Sequence, residues 1–423
     1  MGSTAATTVD PVTVEGMITG PGVDDASISL GMIVDPATDR GFAAGVTLWR
    51  DIVNARGGIC GRTIQITTAA TGSTTDETYT QLGRSTLGLI LLEQGEPGRQ
   101  VAARIRADRI PTLTPEGHRG DLAGTSSPVI LGATDDILAV NAAAHLLSSG
   151  VIPQGGSLGV VLDDPATADD IRTALSWWAA RNHIRLLELH LGEAVPADIQ
   201  AIFADAAPQR IADLLTSTSG AGAGAGSAPS GPASGQASGD PGSPSTGDRA
   251  SVGPAVNGTA AGTHPAIAAR GPIIATTLNG YLPAFFPADG AGRLQVATVT
   301  PSPGADHPAV LAVRTAYADS GHSNPGPRLL EGYATGETWA RLLEPMCAAR
   351  TLTRTAVAEQ LRGLAPASSD SLFGPTDPAM QLSAGLSASK VSAMSEADPT
   401  ASGGLRPITL LESAPGIGDY RAG

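Results

Sequence analysis

The sequence predicts an α/β fold built on parallel sheets, and three observations carry that prediction. Residues 27–67 read as strand, helix, strand with tight connections. Such a pair of strands bridged by a packed helix forms a right-handed βαβ unit with parallel strands. The same alternation of short apolar runs and helix-period segments continues to residue 216, and again from 272 to 361, the pattern of open sheets covered by helices. A chain of 423 residues is also long enough for two cores of ordinary domain size.

The first strand is the run Ile28, Leu30, Met32, Ile33 and Val34, apolar on both faces and so covered on both. Thr38 or Asp39 caps the next helix, in which Phe42, Val46, Trp49 and Val53 share one face. Gly57-Gly58 ends it, because glycine enters the left-handed region cheaply. A second strand follows at 63–67. Residues 87–93 and 110–114 read as strands around a helix from about Gly98, and a helix covers 136–149 behind Asp135. After Gly155-Gly156 come a strand at 157–164, a helix at 167–182 and a strand at 184–191. Ile199 to Phe203 reads as a short helix and Ile211 to Thr216 as a strand. Later elements are strands at 272–277 and 293–300, and helices at about 308–319, 328–349 and 351–361. In the 328–349 helix, Gly332 and Gly336 lie four apart, which permits close packing of another element. Residues 366–404 read as irregular, and Pro407 to Glu412 as a closing strand.

Composition narrows the function. Net charge is −14 with no basic cluster, which argues against nucleic acid as a partner. Lysine occurs once, at Lys390, so no phosphate-binding Gly-Lys loop exists; there is no His-Glu-x-x-His, and Gly155-Gly-Ser-Leu-Gly159 opens a strand instead of turning from a strand into a helix, so it is no nucleophile elbow. His183 and His190 are too far apart along a strand to share a metal, and no metal or cofactor is expected. No run of 18 apolar residues is present to span a membrane. Residues 1–26 read as a polar, disordered tether without signal-peptide character. Residues 217–262, rich in Gly, Ala, Ser and Pro, read as a disordered, passive insert, and Asn257-Gly-Thr within it as a chance glycosylation pattern.

The helix that closes on Asn54-Ala-Arg-Gly-Gly-Ile-Cys-Gly-Arg62 and runs into a strand resembles the first βαβ of the type I periplasmic binding proteins, and most closely their Leu/Ile/Val-binding branch. The tract from Gly332-Tyr333 to Leu352-Thr-Arg354 resembles that family's late helices. The resemblance covers roughly 27–216 and 263–415. It implies two α/β lobes joined by a three-strand hinge, the chain crossing near 150–156, 292–302 and 403–407. Lobe one would hold 27–152 and 300–402, and lobe two 153–299 and 403–417. It further implies an extracytoplasmic, monomeric, non-enzymatic solute-binding lipoprotein that serves the permease of an ABC importer, its tether standing after a lipidated cysteine. The alternatives are a ligand-binding sensor or a degenerate surface protein that takes no part in transport, and a cytosolic α/β enzyme.

In open α/β sheets ligands bind beyond the carboxyl ends of the strands. Those ends supply Asp35, Gln94, Glu96, Arg99, Thr114, Glu116 and His118 from lobe one. Lobe two supplies Asp163, Asp164, Thr167, Thr216, Thr277, Asn279 and Tyr281. The family binds an amino acid carboxylate through hydroxyls and helix-start N–H groups, and matches its ammonium to acids of lobe two. This chain departs at Glu96-Pro-Gly98 and Glu116-Gly117, where small polar residues are expected, and has Pro165-Ala-Thr167 in place of an aromatic. A carboxylate at 96 repels an anion unless Arg99 compensates it. These departures fit a small polar or cationic molecule (amino-acid-like, an amide or related), or a lost binding function, better than a branched-chain amino acid. Cys60 and Cys347 both fall in lobe one; they are either two buried thiols or one bridge.

Overall fold

The structure is a computed structural model that describes residues 12–14, 16–35, 39–70, 76–92, 95–122, 127–219, 271–286 and 292–421. Gln94, the bulk of the 217–262 insert and Asn257 lie outside the described residues.

Val12–Val14 (β1) and Met17–Thr19 (β2) form a hairpin. Six residues of the stretch read as a tether, 12–14 and 17–19, are thus strand, with Met17 in the core. Ser27–Val34 (β3), Arg40–Ala55 (α1) and Thr63–Ala70 (β4) form the expected βαβ unit, the two strands parallel. Ile28, Leu30, Met32 and Val34 face one core and Ile33 the other, which is why the run is apolar throughout. At the turn, a Cβ on Gly58 would sit 1.9 Å from Arg62 O, and its φ is +75°.

Asp76–Ser85 (α2), Gly88–Leu91 (β5), Gly95–Asp108 (α3), Thr112–Thr114 (β6) and Val129–Ile130 (β7) complete a parallel sheet in the order β4-β3-β5-β6-β7. Asp135–Ser148 (α4) then leaves it and packs on the next sheet. That sheet takes Ser157–Leu162 (β8), Arg185–Glu188 (β9) and Ala201–Asp205 (β10), with Ala168–Asn182 (α5) between β8 and β9. Pro208–Ser219 (α6), Ile273–Thr277 (β11) and Leu294–Thr298 (β12) follow.

The chain returns to the first lobe with Pro308–Asp319 (α7), Leu329–Ala348 (α8), Thr351–Leu352 (β13), Arg354–Gly363 (α9) and Pro378–Ala384 (α10). It finishes in the second with Ala393–Ala397 (β14) and Leu405–Pro407 (β15). The second sheet runs β15-β14-β12-β11-β10-β8-β9, parallel except where β14 pairs with β12 and β15. A small third sheet, β1-β2-β13, ties residues 12–19 to the first lobe.

Several sequence readings are corrected here. Residues 199–203 are not a helix: β10 is buried on both faces, and a short run apolar throughout carries no period that separates strand from helix. Residues 211–216 are not a strand but lie within α6, whose buried Ile211, Leu214, Leu215 and Thr218 follow i, i+3, i+4, i+7 behind Pro208. The stretch 366–404 is not irregular, since it holds α10 and β14. The closing strand is Leu405–Pro407, and Glu412 makes only an isolated bridge to Ser392.

Three crossings lie side by side. The first follows β7 directly, at 131–134, ahead of Gly155-Gly156, and the last lies at 385–392, ahead of 403–407. A Cβ on Gly132 of the first crossing would stand 2.6 Å from Val299, just after β12. Ser387 Oγ donates to Gly132 O at 3.5 Å.

Helices α1 and α8 touch backbone to backbone. A Cβ on Gly45 would meet Leu329 O at 2.1 Å, and one on Gly332 would meet Phe42 O at 2.0 Å. Gly336 makes room for Trp49 in the same seam. At the far end of these helices Cys60 and Cys347 are joined, S–S 2.02 Å, with Cα atoms 5.3 Å apart.

Candidate functional site

Strand ends from both sheets converge between the lobes and form two polar clusters. The first is built on the second lobe's strands β8 and β10. Asp163 and Asp164 follow β8, Thr167 precedes α5, and Asp205 ends β10. Thr167 Oγ1 donates to Asp205 Oδ2, and Asp163 N donates to Asp205 O at 2.8 Å. Arg210 of α6 lies 3.2 Å from Asp163. From the other lobe, Arg99 of α3 donates through Nη1 to Asp164 Oδ2 at 2.9 Å. Both side chains are partly exposed, 19% for Arg99 and 30% for Asp164, so the pair sits at the edge of the cleft. Burial pushes Asp205 up to about 6; the Thr167 hydrogen bond works against this, and the neighbouring Asp164 and Asp163 charges reinforce it.

The second cluster centres on Arg328 at the head of α8. Its Nη1 lies 2.8 Å from Glu331 Oε2 and 2.9 Å from Glu116 Oε2, and its Nε 3.5 Å from Asp39 Oδ1. Its Nη2 donates to Asn279 Oδ1 of the second lobe at 2.9 Å. All four charged groups are buried. Burial alone would lower Arg328, but Glu116, Glu331 and Asp39 outweigh it and hold it above its ordinary value. Burial, reinforced by the Glu116 charge, raises Glu331 well above the carboxylate range.

Of the residues singled out from sequence, Arg99, Asp163, Asp164 and Thr167 meet in the first cluster, and Glu116 and Asn279 in the second. Thr114 is buried and donates to Glu116 O at 2.7 Å, fixing that turn. Thr277 is buried at the end of β11. Asp35 is half-buried and accepts from Asp39 N through its carbonyl. Glu96 lies in the first turn of α3. His118 is turned to Asp121, its Nδ1 3.3 Å from Oδ2, in a pair that also engages Arg106.

Two residues are corrected. Thr216 is on exposed helix surface and donates to Ala212 O, because its segment is α6 and not a strand. Tyr281 is buried in the second lobe's core, stacked on Phe286 and donating to Gly404 O at 2.5 Å, so its hydroxyl is already engaged. Asp205, Asp39, Arg328 and Glu331 were missed. Pro208, three residues after Asp205, was the available signal, since it marks a helix start and places a strand end shortly before.

Two α/β lobes, a three-segment hinge and charged strand ends meeting between the lobes define the type I periplasmic-binding-protein fold. No family model matches this sequence, and no curated protein is significantly similar to it. Among solved structures, the chain is similar to the fatty acid ABC transporter substrate-binding protein from Thermomonospora curvata. The TM-score is 0.73 at 21% identity, over 96% of this chain and 97% of that one. It is also similar to an ABC transporter substrate-binding protein from Desulfitobacterium hafniense in complex with Leu, at TM-score 0.62 and 13% identity over 90% of this chain and all (100%) of that one. The branched-chain amino acid transporter substrate binding protein LivJ from Streptococcus pneumoniae, in complex with isoleucine, matches at TM-score 0.61 and 12% identity, over 90% and 99% of the two chains.

Proposed function

We propose that the protein is an extracytoplasmic solute-binding protein of an ABC-type importer that closes on a small zwitterion, an amino acid or a relative of one, between its lobes. The Arg99–Asp164 pair across the cleft carries this reading. A zwitterion can insert into such a pair, its carboxylate taking Arg99 and its ammonium taking Asp164, with Asp205 and Thr167 behind. Each protein charge then keeps an opposite partner, so ligand entry leaves no charge stranded. The resemblance in fold to substrate-binding proteins supports the same reading.

A thermal-shift panel of amino acids, amides, polyamines and fatty acids tests it. A true ligand at ~100 times its dissociation constant adds about 2.7 kcal/mol of stability. Zwitterions should raise the melting temperature, and Arg99→Ala and Asp164→Asn should each abolish the rise. Stabilisation by none of the panel, or by a zwitterion that ignores both substitutions, would overturn the reading. The Thermomonospora curvata protein favours a second one, a carboxylate with an apolar tail. Stabilisation by fatty acids that is lost in Arg99→Ala yet kept in Asp164→Asn would select it.

A further inference from the structure

We propose that lobe closure takes up a proton, held by the buried carboxyl pair Glu116–Glu331, with Arg328 joining that pair to Asn279 of the opposite lobe.

The argument is one of charge and burial. Asp39 from the head of α1, Glu116 from the turn after β6 and Glu331 from the first turn of α8 surround one guanidinium. Asn279, which faces them from the second lobe, is neutral. With every group ionised the cluster would hold three negative charges against one positive. Glu116, Glu331 and Arg328 are each no more than 4% exposed, and two uncompensated charges at such depth are too costly to persist.

The hydrogen bonding points the same way. Arg328 Nη1 directs its bond to Glu331 Oε2, and neither Glu116 oxygen receives a directed donor among the described residues; Glu331 Oε1 is likewise unsatisfied. A proton on Glu331 makes it a donor to Glu116, supplies the missing bond and removes one charge. Burial and the Glu116 charge both favour that protonated form.

Closure enters through Asn279, the lobe-two partner of Arg328 Nη2. When the lobes part, that contact breaks and water reaches the guanidinium and its carboxylates. Glu331 then returns toward the ordinary carboxylate range and releases its proton. The sign follows: a group whose pKa is higher in the closed form favours closure as pH falls through that raised value. The gain is complete below the ordinary value. For one proton the closing constant changes by up to tenfold per pH unit inside that window.

The inference rests on two-lobe closure and not on ligand identity, so its test reads lobe separation directly. Spin labels on Gln81→Cys in α2 and Thr173→Cys in α5, both exposed, report the inter-lobe distance in the full chain. The expected result is a growing short-distance population as pH is lowered from 8 to 5. Glu331→Gln, which mimics the protonated acid, should remove this dependence and hold the short distance throughout. Asn279→Ala should favour the long distance at every pH while still melting cooperatively. Glu337→Gln, at a carboxyl of α8 outside both clusters that desolvation also raises, should keep the pH dependence. A distance unchanged by pH, or a dependence that survives Glu331→Gln or vanishes in Glu337→Gln, would overturn the proposal.

Discussion

Arg99 Nη1 on the first lobe and Asp164 Oδ2 on the second lie 2.9 Å apart, an ion pair that spans the cleft. Partly exposed pairs of this kind contribute little to folding, about 0–1 kcal/mol, because water screens them and two long side chains must be held still. Their leverage is on the lobe arrangement, which a few tenths of a kcal/mol can shift. Arg99→Met should therefore move the melting temperature by no more than about 1–2 °C. The radius of gyration from small-angle scattering should nevertheless rise. A large loss of stability with unchanged scattering would show that Arg99 is a folding residue instead.

Asp205 gives a pH dependence of defined sign. Its folded value is raised to about 6, above the unfolded value near 3.9. The stability linked to this proton is present in full below the unfolded value and is lost as pH rises through about 6. Asp205→Asn keeps an acceptor for Thr167 and removes the buried charge. It should raise stability by about 1–3 kcal/mol at pH 8 and change it little at pH 4, as read from urea denaturation at the two pH values. Equal effects at both would assign the raised value to another carboxyl.

The Cys60–Cys347 bridge closes a loop with a sequence separation of 287 residues. In the chain-entropy description its loss costs ~3–5 kcal/mol, chiefly by freeing the unfolded chain. Cys60→Ala paired with Cys347→Ala should lower the calorimetric melting temperature, and reductant should then have no further effect on the double variant. A wild-type melting curve indifferent to reductant would contradict this.

The seam between α1 and α8 tolerates no side chain at Gly332, where a Cβ would stand 2.0 Å from Phe42 O. Gly332→Ala must push two helix backbones apart, at a cost of about 1–3 kcal/mol or more. Gly363→Ala, with open space around the new methyl, is the matched control and should melt as the wild type does.

Residues 220–262 should be replaceable by a short Gly-Ser linker with a change of only a few degrees in melting temperature, since halving loop length alters closure by only ~0.6 kcal/mol. The boundary matters. Arg293 donates to Ser219 Oγ at 2.6 Å and lies 3.4 Å from Thr218 Oγ1, so a deletion that removes 218–219 should cost more.

The sequence by itself determined the elements whose signals are local. Helices α1, α5, α7 and α8 carry a 3.6-residue apolar stripe, β3 is apolar on both faces, and Gly332 with Gly336 announced a close helix contact. From these came the α/β class with parallel sheets; the two lobes and their hinge were what the resemblance carried by Asn54–Arg62 and the 332–354 tract implied. Tertiary structure alone decided β14, because Ala-Met-Ser-Glu-Ala has no strand period and pairs only where β12 offers an edge. It also decided β10, where an apolar run fits helix and strand equally until two sheet neighbours claim its backbone. That exchange moved the strand end from Thr216 to Asp205 and changed the site with it. Arg328 was silent for a related reason. Its partners Asp39, Glu116 and Asn279 are distant in sequence, and a charge declares its role only when folding removes the water that would otherwise satisfy it.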